Sequence, residues 1–146
     1  MHQIPILLRL AARFGGDPHL VVRVSIGNDT GSNLQSLYPP ELHTLRFDLQ
    51  TYQGIIGPTF VGTATGIVRR YTIWVEIMVL KDDGVTPLTD WIMEEGVVTP
   101  GQVGMGNQRL SGAYVRRHLY FATAPGNCQL FVAQKKNGVV SQLPVV

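Results

Sequence analysis

Apolar and polar residues alternate with a period of two along several stretches of the chain, the pattern of strands with one buried face. Ile4, Ile6, Leu8 and Leu10 alternate with Pro5, Leu7, Arg9 and Ala11, and Gly15-Gly16-Asp17-Pro18 turns this first strand back. Leu20, Val22, Val24 and Ile26 form the inward row of the return strand, whose end is set by Gly27 and Asn28. From Leu45 to Leu80 the pattern is again strand-like, punctuated by Gly54, Gly57-Pro58, Gly62 and Gly66. In its last part Tyr71, Ile73, Val75, Ile77 and Val79 alternate with Thr72, Trp74, Glu76, Met78 and Leu80.

The segments between these rows are read from their turn and breaker residues. Asn33 to Leu45 contains Pro39-Pro40, which argues for an irregular surface loop. Lys81-Asp82-Asp83-Gly84 reads as a hairpin turn, Pro87 to Val98 as a further strand region, and Thr99 to Gly106 as a glycine-rich connection. Ser111 is placed to cap a short helix in which Val115 and Leu119 share a face. Leu119 to Thr123 and Leu130 to Ala133 are short strand candidates, and Lys136-Asn137-Gly138 predicts a hairpin pairing Phe131–Gln134 with Val139–Val145.

Composition narrows the class. The 146 residues suit one domain, residues 1–146, with a single core. An apolar fraction of 45%, a charged fraction of 15%, sixteen Gly and nine Pro favour a turn-rich all-β fold over disorder or a helical bundle. No run approaches the roughly 20 apolar residues of a membrane span, and Arg9 cuts the apolar N-terminal stretch too short for a secretory signal. No membrane partner is expected. A lone cysteine, Cys128, fits a reducing, cytoplasmic compartment. The net charge of +2 arises from scattered pairs such as Arg69-Arg70 and Arg116-Arg117, without the basic stripe that nucleic acid would require. His2, His19, His43 and His118 lack ligand spacing, so neither metal nor cofactor is expected.

The candidate chemistry lies in Asp29-Thr30-Gly31-Ser32, directly after the second strand. A carboxylate delivered by a strand into a tight glycine-containing turn is held close to backbone N–H donors, where it can be fixed and partly desolvated. An ordinary turn after a strand would also satisfy these four residues.

In order along the chain, strand, turn, strand and Asp29-Thr30-Gly31-Ser32, then a glycine-rich hairpin, then Leu110-Ser111-Gly112 before a short helix, the sequence resembles the retropepsin-like aspartic proteases. The resemblance implies a retropepsin-like closed β-barrel, one half of an acid protease, with one short helix near the C-terminal part. It implies Asp29 as the catalytic carboxylate, with Thr30, Gly31 and Ser32 supporting its loop. Leu110, Ser111 and Gly112 become the closing element beneath that loop, and Gly54 to Arg70 contains the flap that covers the substrate. A plain β-meander and a bland capped helix remain the alternatives for the last two segments.

Peptide hydrolysis of this kind uses two carboxyl groups that share a proton. The chain has a single Asp-Thr-Gly, so the family reading implies a homodimer acting on a peptide or protein substrate, with the second Asp29 supplied by another copy. In viral members the terminal strands join the two protomers, and the apolar ends of this chain suit that role. Asn28 precedes the motif where the family commonly has an apolar residue, and Ser111 replaces an aliphatic one. These departures motivate the alternative of a catalytically inactive retropepsin-fold module for dimerisation or peptide binding. A β-barrel nucleic-acid binder is a third reading.

Overall fold

The computed structural model describes residues 2–29, 31–101, 109–123, 126 and 129–143. The inward row of the first strand, β1 (Gln3–Leu10), is buried along its whole length, Ile4, Ile6, Leu8 and Leu10 being at most 3% exposed. Burying each such side chain contributes about 1.5–3 kcal/mol. A 3-10 turn at Ala12–Phe14 ends on Gly15, whose φ of 91° lies in the left-handed region, and the chain returns antiparallel as β2 (Val22–Gly27).

Strands β4 (Ile55–Thr63) and β5 (Gly66–Val79) form a long hairpin, and β5 continues far beyond its partner. The second half of β5 lies between β1 and β6 (Ile92–Val98), with Ile73, Val75, Ile77 and Val79 wholly buried. The short strand β3 (Gln35–Leu37) runs parallel to β6 at the far side, giving the order β2-β1-β5-β6-β3 with β4 on β5. A separate two-stranded sheet joins β7 (Tyr120–Thr123) to β8 (Leu130–Ala133). Three short helices, α1 (Pro39–Thr44), α2 (Ala113–Arg117) and α3 (Lys136–Gln142), complete a mostly β fold. Among the described residues no helix is long and apolar enough to cross a membrane.

Several expectations are corrected here. Among the described residues the main sheet is not a closed barrel, because β2 and β3 share no ladder there and meet only through contacts to the chain around Leu110. Residues 33–45 are not an irregular loop. Gln35, Ser36 and Leu37 form buried β3, and Pro39 and Pro40 open α1 at its first two positions, where the missing N–H groups cost no helical hydrogen bond. Glu41 reaches back to accept the Tyr38 N–H at 2.9 Å, completing the helix start.

The hairpin expected at Lys136-Asn137-Gly138 is α3 instead, packed on β8. A Cβ at Gly138 would meet the Ala133 Cβ at 2.9 Å, so this glycine permits close helix–strand approach and makes no turn. The N-terminal strand is also not a free dimer edge, since β1 is paired on both sides within the chain. Cys128, Gly104-Met105-Gly106 and residues 144–146 lie outside the described residues.

Candidate functional site

Strand β2 ends by delivering Asn28 and Asp29 into a tight loop that is gripped from beneath by a distant segment. Arg109, Leu110 and Ser111 thread between the two limbs of this loop. On the incoming limb, Gly27 donates to the Arg109 carbonyl at 2.6 Å and accepts from the Ser111 N–H at 3.0 Å. On the outgoing limb, the Ser36 N–H donates to the Leu110 carbonyl at 3.1 Å, and the Leu110 N–H to Ser36 Oγ at 3.2 Å. The loop therefore cannot shift without breaking sheet-like hydrogen bonds on both sides.

Within it, Gly31 donates its N–H to Asp29 Oδ1 at 2.9 Å, and Ser32 donates its N–H to the Asp29 carbonyl at 3.2 Å. No described residue donates to Asp29 Oδ2. Ser32 does not reach the carboxylate with its side chain; Oγ donates to the Leu34 carbonyl at 2.8 Å and fixes the loop's outgoing turn. Thr30, the remaining residue of the motif, lies outside the described residues. Asn28 donates its N–H to the His2 carbonyl, while its buried Oδ1 finds no partner among the described residues.

Ser111 is fully buried and does not cap α2 as its position suggested; Gly112 occupies the N-cap, with no side-chain cap. Ser111 Oγ instead accepts the Asp29 N–H at 3.2 Å and a hydrogen from Arg116 Nη1 at 3.1 Å. Leu110 and Ser111 thus lie against the Asp29 loop.

Two further residues complete the support, and sequence pattern alone did not single them out. Arg116, on α2, donates from Nη1 to the Asp29 carbonyl at 2.7 Å and from Nη2 to the Ser32 carbonyl. One planar guanidinium thereby holds both ends of the loop, which a lysine ammonium could not span. Glu94, on β6 and wholly buried, accepts the Val115 N–H at 2.9 Å and the Glu95 N–H at 2.9 Å, with Tyr114 at 3.4 Å. Burial raises the Glu94 carboxyl above its usual range, and the three N–H groups offset part of that rise. A Cβ on Gly112 would meet this carboxylate at 2.3–2.5 Å, which is why α2 can sit so close to β6.

Glu41 and Arg109 add a second brace, ion-paired at 2.5 Å with Glu41 almost entirely buried. Its signal in the sequence was the Glu three residues after Tyr38, the spacing of a helix start.

Above the Asp29 loop opens a groove of about 1000 Å³. Its floor is Asp29, Gly31 to Leu34, Ser36, Tyr38, Thr99 and Leu110, and its roof is the β4–β5 hairpin through Phe60 to Thr65, Val68 and Arg70. Part of the glycine-rich hairpin that the sequence offered as a flap, Phe60 to Thr65 with Val68 and Arg70, lines the same groove as the candidate carboxylate. No family model matches the chain, and no curated protein matches its sequence.

Asp29 is the groove's one acidic residue among those described. A smaller cavity of about 420 Å³ lies between the Lys81–Asp83 turn and the β8–α3 unit. Its Asp83 is committed to the turn: hydrogen bonds from the Thr86 hydroxyl and from the Thr86 and Val85 N–H groups lower its carboxyl to about 2. A carboxylate so engaged is a poor base, and the Asp29 groove remains the candidate site.

Proposed function

We propose that this chain is one protomer of a homodimeric, retropepsin-like aspartic endopeptidase. The observation that carries the reading is the Asp29 carboxylate, held through one oxygen by the Gly31 N–H, on the floor of a groove roofed by the β4–β5 hairpin. A groove of this form suits an extended peptide, whose alternate side chains point to floor and roof.

With a single acid in the groove, the second carboxyl comes from another copy, set opposite by a two-fold axis. Two carboxyls about 3 Å apart cannot both ionise and share one proton. The ionised Asp29 takes a proton from water as the water oxygen bonds to the scissile carbonyl carbon. The protonated carboxyl of the partner's Asp29 gives its proton to the carbonyl oxygen, yielding a gem-diol. Collapse of that diol breaks the C–N bond, with a proton passing to the departing amine and the dyad returned to its shared-proton state. The backbone grip of Arg116 and Ser111 keeps the loop in place while charge moves.

The test is hydrolysis of an unfolded protein or peptide library between about pH 4 and 7. Wild-type chain is expected to cleave and Asp29→Asn to lose at least about 10³-fold. Equal rates would refute the assignment.

A second reading is a groove that binds peptide, or mediates dimerisation, without catalysis. Two observations favour it: Asn28 buries an unpartnered Oδ1 beside Asp29, and β1 is consumed within the sheet, where terminal-strand dimerisation would need it free. Tight binding of a statine-type transition-state mimic counts against this reading, since the mimic's hydroxyl engages both carboxyls.

A further inference from the structure

The roof of the groove carries a positive charge that no acidic side chain among the described residues neutralises. In the β4–β5 register Thr59 faces Arg70 and Val61 faces Val68, so these four side chains share one side of the hairpin. That side is half-buried, whereas Phe60, Ile67 and Arg69 on the other are exposed. Val61, Val68 and Arg70 line the groove.

Arg70 donates from Nη1 to the Arg69 carbonyl at 3.0 Å and has no acidic partner among the described residues, the ion pairs being Arg9–Glu76 and Arg109–Glu41. Among the described residues the only other charged side chain lining the groove is Asp29, on the floor, and it forms no ion pair with Arg70. A guanidinium presents a planar fork that matches a carboxylate at two points. Next to it Val61 and Val68 offer an apolar surface that thins the water around that fork.

We infer that the groove selects peptides bearing a Glu or Asp side chain directed at the roof, with Arg70 as the residue that reads it. This rests on the peptide-groove reading above and adds the class of substrate. An extended chain that turns an acidic residue up to Arg70 turns its neighbours down, so the acidic residue is kept away from Asp29.

The experiment compares two decapeptide libraries, identical except for one fixed Glu or Gln. Binding is followed by fluorescence anisotropy on Asp29→Asn, which leaves bound peptide intact, and cleavage is followed on wild type. With Arg70 present the Glu library is expected to bind about tenfold more tightly, the size of one charge-assisted contact at a half-exposed site. Arg70→Ala is expected to bring the two libraries level, and Arg70→Glu to prefer a matching Lys library.

Equal binding of Glu and Gln libraries, a Glu preference that survives Arg70→Ala, or binding of neither library would overturn the inference. The two claims separate cleanly. A Glu preference in binding with no cleavage by wild type sinks the hydrolase and keeps the acid reader. Cleavage without a Glu preference does the reverse.

Discussion

The floor and the roof of the groove are built on opposite principles. Every limb of the Asp29 loop is tied to another part of the chain: to Arg109–Ser111 through individual backbone hydrogen bonds, to Arg116 through two carbonyls, and through α2 to the buried Glu94. The hairpin above it is paired only within itself from Thr59 to Arg70, and its outer side exposes Phe60 at 76% and Ile67 at 77%. Local stability follows burial and cross-linking, so the floor belongs to the most cooperative part of the molecule and the roof to the part that opens first. A rigid acid under a yielding cover is an arrangement in which a peptide could enter without disturbing the Asp29 carboxylate.

Substitutions that break this contrast rank by how directly they touch the floor. Asp29→Asn should abolish hydrolysis while leaving the unfolding midpoint within about 0.5 kcal/mol, since Asn keeps an oxygen for the Gly31 N–H; paired activity and denaturant assays check both halves. Arg116→Ala strips the strap from two carbonyls and from Ser111, and chemical denaturation should show a loss of about 2–3 kcal/mol. Gly112→Ala forces the Glu94 carboxylate out of its N–H cradle and should cost about 2 kcal/mol in the same assay.

Glu94→Gln sharpens the comparison through pH. The folded carboxyl is raised above its ordinary value of 4.5, so its contribution is fully present below that pH and is lost as pH rises through the higher folded value. Wild-type stability should therefore carry a downward slope above about pH 4.5 that Glu94→Gln lacks, read by chemical denaturation across pH. On the roof, Ile67→Ser should change stability by less than about 0.5 kcal/mol, because that side chain is already in water.

Much of this contrast was written locally, and the part that was not has a physical reason. Period-two burial made β1 and β5 legible, because alternate side chains of a strand must choose between core and solvent. The Asp29 loop and Leu110-Ser111-Gly112 were legible as pieces, and the fold does bring them together. Pro39-Pro40 misled because proline breaks a helix interior but suits its first turn, a distinction settled by Glu41 reaching back to Tyr38. Asn137-Gly138 misled because a turn signal and a glycine placed for close packing on Ala133 look alike in one dimension.

Barrel closure was not local either; among the described residues the chain around Leu110 makes a single bridge to Gly27 and no full ladder. Arg116 and Glu94 left no mark, since their partners are backbone groups that any sequence would supply. Glu94 does stand at the inward parity of β6, between Ile92 and Gly96, and a buried carboxylate in such a row must find donors.

The central claim is that one groove holds half of a catalytic pair. Initial rates of peptide hydrolysis measured against total chain concentration test it most directly. The account predicts rates that rise with the square of concentration at the dilute end, become linear once chains are paired, and fall when excess Asp29→Asn chain is mixed in. Rates linear in concentration throughout, and indifferent to the added variant, would mean that a single chain does the chemistry and that Asp29 has no twin.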